Sequence, residues 1–556
     1  MDTRLCRAAL AAVALAACAP ATAPLVGGEV APPPYDVGIE AASLTQSVQD
    51  PAGSVPLLRG RPGLVRVFLR AREADVPAPE VTVQLVETTT GAVLRAWTAA
   101  SPLTEVPRAL VDASPGGAWS VEVAGDDVQP GRHLVAALGA VAGVPPERVR
   151  GTLRIPADGS LDVRSPPALA VTIVPVVQGG LAPDVERSRT AASWLDRARR
   201  IHPLGEVDVR VGASYATSTV LGADGSGWGP LLAELDRKRV AEGSGRTYLG
   251  AVHVPYTSGV AGRGDVRGRT FLAWDAHSYQ RVVAHELGHN FGLRHAPCGA
   301  VDAATLDPAW PAAPGYAGGR TGAVGWDALG GLLKDPAVTF DLMGYCGDDA
   351  TTWTSDHNYL AAMAYLGQVA GAAASAPARP AAAAASLLVS GTISGEAVAL
   401  DAPFVVASPP PAGAEGPYTA EVVGPDGAPL AAVPFTPVDS DGPGAAPAHF
   451  AVLVPLPDGA VAGGVVVRRQ GLELARVADG DDAAEQAGVV AEPADGGAVI
   501  RWDGARHREA MIRDGRTGEV LAFGRGGAAR VRPDAAEVEV VLSGIRRGGP
   551  VRARVR

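Results

Sequence analysis

Eleven consecutive residues constrain this chain more than any other stretch. His285 to His295 reads H-E-L-G-H-N-F-G-L-R-H. His285 and His289 are four apart, so on a helix both imidazoles leave one face, one turn apart. Gly292 offers a helix end, because glycine takes positive φ at little steric cost. A turn there lets His295 approach the other two rings from another side. Three neutral imidazoles can hold a zinc ion and leave a fourth position for water, the arrangement of a catalytic rather than a structural site. Glu286 projects beside such a metal rather than onto it, where a carboxylate can accept a proton from zinc-bound water.

The rest of the 556 residues must be divided, because one core does not grow to that length, and three or four domains are expected. Glycine (69) and proline (47) are abundant and aromatics make up 5%, which suits small β-domains with many turns. The net charge of −11 comes without a long basic run, which argues against a nucleic-acid partner.

The N-terminus reads as a targeting segment. Arg4 and Arg7 precede an apolar stretch too short to span a bilayer. Leu15-Ala16-Ala17-Cys18 comes next and resembles a bacterial lipoprotein signal, in which cleavage before Cys18 is coupled to its lipidation; an ordinary secretory signal is the alternative. Residues 1–18 are thus read as a signal and 19–35 as a Pro- and Ala-rich tether. Ala19 after the cysteine leans, by the same resemblance, toward the outer membrane or cell surface. The expectation is an exported cell-envelope lipoprotein that meets the membrane only through lipid on Cys18.

Short alternating runs at 63–70, 81–86, 119–123 and 133–138 predict a β-sandwich over residues 36–165. The pattern changes over 166–370. A buried strand near 168, a helix over 184–201 capped by Asp184, a strand at 207–211, a helix from Trp228 and a strand at 247–254 imply a twisted, mostly parallel sheet. A short strand at 270–274 precedes the histidine helix, and 356–369 reads as a closing helix. Residues 371–386 form an Ala/Pro linker, 387–480 a second β-sandwich and 485–556 a small C-terminal β domain, also read as a sandwich. The expected fold class is a multidomain chain in which an α/β catalytic domain is flanked by all-β sandwich domains. Asp302, Asp307, Asp327, Asp335, Asp348 and Asp349 raise the question of a calcium ion, but no ligand spacing singles one out and a solvated surface is the better reading. His133 reads as structural, and His449 and His507 as isolated surface residues.

H-E-x-x-H-x-x-G-x-x-H, together with Met343 in F-D-L-M-G-Y-C, resembles the signature of the metzincin zinc metalloproteases. The resemblance spans 168–370. It implies a metzincin-like α/β domain with His285, His289 and His295 as zinc ligands, Glu286 as general base and Met343 as the methionine turn beneath the metal. Tyr345 then either approaches the metal and stabilises an oxyanion or simply packs. The strand at 270–274 becomes the cleft edge that pairs with extended substrate. If the methionine turn lies under the zinc, Cys298 and Cys346 become neighbours, and an exported setting permits a disulfide; closing a loop of about 49 residues would add roughly 4 kcal/mol in the chain-entropy model. The implied activity is zinc-dependent hydrolysis of peptide bonds in extracellular proteins or glycoproteins. The competing class is a surface adhesion or scaffold lipoprotein with a vestigial or structural zinc site; a zinc hydrolase acting on a non-peptide bond is a third.

Overall fold

The computed structural model describes residues 35–555 apart from 51, 111–115, 376–384, 409–413, 443–445, 479–487, 495, 534–535 and 546–549. The signal at 1–18 with Cys18, nearly all of the tether, most of the 371–386 linker and the acidic break after residue 478 lie outside the described residues.

Residues 36–165 form a sandwich of two four-stranded sheets. One runs Trp119–Val123, Gly63–Ala71, Val37–Thr45, Val149–Arg150; the other runs Thr152–Ile155, Arg132–Leu138, Val81–Glu87, Val93–Ala99. Period-two alternation places Val81, Val83 and Leu85 inside, against Val37, Ile39, Val65, Val67 and Trp119 from the facing sheet. Backbone bonds join this sandwich to the histidine-bearing region: Val48–Gln49 pairs with Val324–Asp327, and Trp353 Nε1 donates to Ser47 O at 2.7 Å.

At the centre, Leu169–Gln178 pairs in parallel with Val207–Val211, Tyr215–Thr217 and Thr247–Val252. Thr247–Val252 pairs in parallel with Thr270–Trp274, and Gly262–Gly264 is added antiparallel at the edge. The parallel pairs need long crossovers, and these carry helices α1 (Asp196–Ile201) and α2 (Trp228–Ala241). Helix α3 (Tyr279–Asn290) covers one face, packing Ala284 and Leu287 with Ile173, Leu249 and Phe271. Helix α4 is Asp356–Ser375.

The expected α/β class is overturned. The described residues are mostly β, at 41% strand and 13% helix, with four α-helices among them. Two departures from the expected domain are visible. The first part of the helix expected over 184–201 is absent, because the Asp184 carboxylate accepts from Arg187 N at 2.8 Å and Ser188 Oγ at 2.6 Å and bends the chain there; helical structure begins at Ala192. The second is the covering of the sheet's other face. Beyond α2, that face is roofed by downstream strands: Leu388, Phe404, Leu453, Met511 and Phe523 share one core with Val174, Tyr248, Leu272 and Leu232. The C-terminal β units are therefore part of the central packing rather than flanks to it. Buried cations fasten them. Arg237 donates to Glu509 Oε2 at 2.8 Å and Ala402 O at 2.6 Å, and Lys238 Nζ to Val520 O at 2.7 Å.

The first C-terminal unit is a sandwich. Ser386–Ser394 pairs with Ala397–Leu400, Phe404–Val406 and Ala448–Pro455, against a sheet of Pro429–Phe435, Tyr418–Val423, Gly464–Arg469 and Leu472–Ala478. The last unit differs from the sandwich expected. It is a single seven-stranded sheet, running Val490–Ala494, Gly497–Arg501, Ala528–Val531, Val520–Arg525, Glu509–Asp514, Glu537–Leu542, Val551–Arg554. Its two edge strands curl into contact with each other. No helix among the described residues is long and apolar enough to cross a membrane.

Candidate metal centre

Helix α3 delivers His285 and His289 to one buried face, with their Nε2 atoms 3.2 Å apart. Gly292 takes φ +84°, the helix stops, and Leu293 N donates to Gly288 O at 3.1 Å. The chain returns and His295 closes the group, its ring centroid 4.7 Å from that of His289 and 5.4 Å from that of His285.

The second nitrogen of each ring fixes its tautomer. His285 Nδ1 faces Leu342 O at 2.8 Å and His289 Nδ1 faces Leu293 O at 2.8 Å, so both must carry the proton there. His295 Nδ1 lies 2.8 Å from Thr305 Oγ1, whose own proton goes to Asp302 O, so this ring donates as well. The three Nε2 atoms are left facing one buried space. Burial, with His289 close by, pushes His285 down to about 3, and burial with its two neighbours pushes His295 down to about 2, so neither ring charges at neutral pH. Two Nε2 atoms 3.2 Å apart are held together by a shared proton or by a cation among them. That observation, and the nitrogen donor set with each Nδ1–H tied to an acceptor, fits a divalent transition metal.

Glu286 is buried on the adjoining turn, and its Oε2 has no hydrogen-bond partner among the described residues. Burial, reinforced by the Asp441 carboxylate, raises its pKa well above the ordinary carboxylate range. Room for this side chain comes from glycine. A Cβ on Gly262 would fall 2.5 Å from Glu286 Oε1, and one on Gly264 would fall 2.7 Å from Glu286 O.

Met343 lies against α3, where Gly288 leaves space for it. Asp341 holds this turn, accepting from Met343 N, Ser355 N and Asn358 Nδ2, each at 2.8 Å. Tyr345 donates its hydroxyl to His295 Nε2 at 3.0 Å while its ring stays half exposed. Burial, with Asp441 and Glu286 nearby, raises its pKa. Cys298 and Cys346 are joined by a disulfide with Cα atoms 5.5 Å apart.

One member of the group has no local sequence signal. Asp441, from the Ser386–Ala478 sandwich, places Oδ2 3.2 Å from His289 Nε2 and 3.9 Å from His295 Nε2. Its donor atom and those of the three histidines lie within 4.8 Å of one another. Burial pushes the Asp441 pKa up, but His289, His295 and the Gly264 N–H outweigh it and hold it below the usual value.

Two sequence readings are corrected around this site. Thr270–Trp274 is not the sheet edge, because Gly262–Gly264 pairs outside it. His449 is not a surface residue; it is buried with Nε2 3.5 Å from Asp265 Oδ1. The lower-half carboxylates have separate partners. Asp302 caps Ala304 N, Asp307 meets His357, Asp327 meets Arg200, Asp349 meets Arg281, and Asp335 and Asp348 accept from nearby backbone N–H groups. His133 meets Thr88 Oγ1 and His507 meets Ser543 O.

No protein-family model and no curated protein matches this chain. Among solved structures, it is similar to the crystal structure of Parabacteroides merdae β-glucuronidase at 10% identity, covering 93% of this chain and 78% of that one with a TM-score of 0.15, a likeness that carries no weight for fold or function.

Proposed function

We propose that this chain is a zinc-dependent endopeptidase of the metzincin kind, exported and held at the cell envelope by lipid on Cys18, and acting on proteins or glycoproteins. One observation carries the reading: three imidazoles, each with Nδ1 facing an acceptor, bring their Nε2 atoms to one buried space beside the unpartnered Oε2 of Glu286. His285, His289 and His295 are the residues that would hold the ion. A zinc ion there would supply Lewis acidity, bringing the pKa of water toward about 7 and polarising a carbonyl oxygen.

The chain's own groups do the rest. Glu286 takes the proton of the attacking water at Oε2 and passes it to the leaving amine; its burial makes the protonated form easier to hold than for an exposed carboxylate. Tyr345 offers an O–H donor on the same side as His295, suited to a developing oxyanion. The Gly262–Gly264 edge is the backbone with which an extended peptide would pair, once Asp441 leaves the Gly264 N–H and C=O, and its glycines keep that backbone close to Glu286. The disulfide and the lipoprotein-like N-terminus both suit an oxidising, exported setting.

The competing reading, a surface adhesion or scaffold protein with a structural zinc, draws on Asp441, because a fourth protein donor is what a closed site has. Incubating casein and a mucin-type glycoprotein with the zinc-loaded chain, with and without a chelator, separates the two. Chelator-sensitive cleavage supports the peptidase; intact substrates with a zinc-replete chain whose Asp441 has been replaced support the scaffold.

A further inference from the structure

Residues 439–442 connect the Pro429–Phe435 and Ala448–Pro455 strands of the downstream sandwich, yet their backbone bonds lie elsewhere. Val266 N donates to Asp439 O at 2.8 Å, Asp441 N to Gly264 O at 3.0 Å, and Ser440 bridges Asp265 antiparallel. The segment thus makes one antiparallel bridge at the Gly264 end of the edge strand, where an extended peptide would pair. Asp441 carries this contact into the site. Its Oδ1 accepts from Gly264 N at 2.7 Å while Oδ2 stands 3.2 Å from His289 Nε2. The fit includes Gly442, on which a Cβ would fall 1.4 Å from Nη2 of the buried Arg263. Any larger residue there must push the segment off the edge or displace that guanidinium.

We infer that the 439–442 segment is an intramolecular occupant of the cleft, in which the downstream sandwich supplies both the backbone bridge that occupies the Gly264 end of the substrate edge and, in Asp441, the carboxylate that takes the fourth donor position among the histidines. The inference rests on the peptidase reading, and it makes the intact chain latent. Peptide substrates then compete with a tethered rival, and apparent affinity falls by the fraction of chains in which the segment is displaced.

The test uses the full zinc-loaded chain as wild type, Asp441→Ala and Gly442→Val, the last leaving all four donors in place. Calorimetry measures the affinity of a peptide hydroxamate, a chelator challenge measures zinc retention, and casein turnover is monitored in parallel. Both variants should bind the hydroxamate about tenfold or more tighter than wild type, and Asp441→Ala should lose zinc to the chelator faster. Equal hydroxamate affinity in all three chains, or in wild type and Gly442→Val should Asp441→Ala not fold, overturns the inference even if casein is cleaved. Tighter hydroxamate binding in the variants without casein cleavage in any chain upholds the occupant and removes the peptidase reading.

Discussion

The sulfur of Met343 stands where a side chain on residue 288 would have to go: a Cβ on Gly288 falls 2.6 Å from Met343 Sδ and 3.3 Å from its Cε. Met343 comes directly after Leu342, whose carbonyl fixes the His285 ring, so the glycine lets the turn that orients one donor press against the helix that carries it. Gly288→Ala should gain about 1 kcal/mol of helix propensity and lose more, about 1–3 kcal/mol, to overpacking. Thermal unfolding should show net destabilisation, and the variant should lose zinc to a chelator faster than wild type.

Glu286 has no ligand role in the arrangement, so Glu286→Gln should keep zinc while losing catalysis. Casein turnover is expected to fall by about 10²–10⁴-fold, the range for a positioned proton-transfer group. The comparison is best made in both the wild-type and Gly442→Val chains. A Gln variant that turns over casein like its parent would remove Glu286 from the mechanism.

The Cys298–Cys346 disulfide ties the segment leaving His295 to the one leaving Met343, across a separation of 48 residues. Ala296 N donates to Met343 O and Tyr345 N to Cys298 O alongside it. Replacing both cysteines with serine should cost about 4 kcal/mol in the chain-entropy model and lower the melting temperature. Reducing agent should lower wild type to the same value and leave the double variant unchanged.

His449 gives a pH dependence of stability. Burial alone would lower it, but Asp265, with Asp236 behind it and Arg239 opposing, holds it up at about 9. A histidine raised in the fold contributes stability that is complete below its unfolded value of about 6.5 and is lost as pH rises through the folded value. Burial moves Asp265 to about 6, below that window. Wild type should therefore lose on the order of 3 kcal/mol between pH 6.5 and 9.5, and His449→Gln should flatten that slope in denaturant titrations.

The histidine cluster is legible in the sequence because it is local: one helical turn sets His285 against His289, and Gly292 sets the return. The N-terminal sandwich is legible for a similar reason, since Val81, Val83 and Leu85 alternate cleanly. The illegible features depend on contacts remote in sequence. Asp441 reaches His289 only because a distant loop pairs with Gly264, and no spacing in the chain announces that. His449 looks isolated until Asp265 is brought to it. Gly262–Gly264 has two glycines in three residues and no strand signature of its own, so the neighbouring Thr270–Trp274 run looks like the edge in its place. The mostly-β character is hidden because nothing local says that Leu453 or Phe523 will roof the central sheet.

Everything turns on whether a metal sits among these three rings. The direct measurement is the metal content of the intact purified chain as wild type, Glu286→Gln and His289→Ala, by mass spectrometry after exhaustive desalting. About one zinc per chain in the first two and a large loss in His289→Ala is the predicted result. Wild type without stoichiometric metal, or His289→Ala retaining as much as wild type, would contradict it.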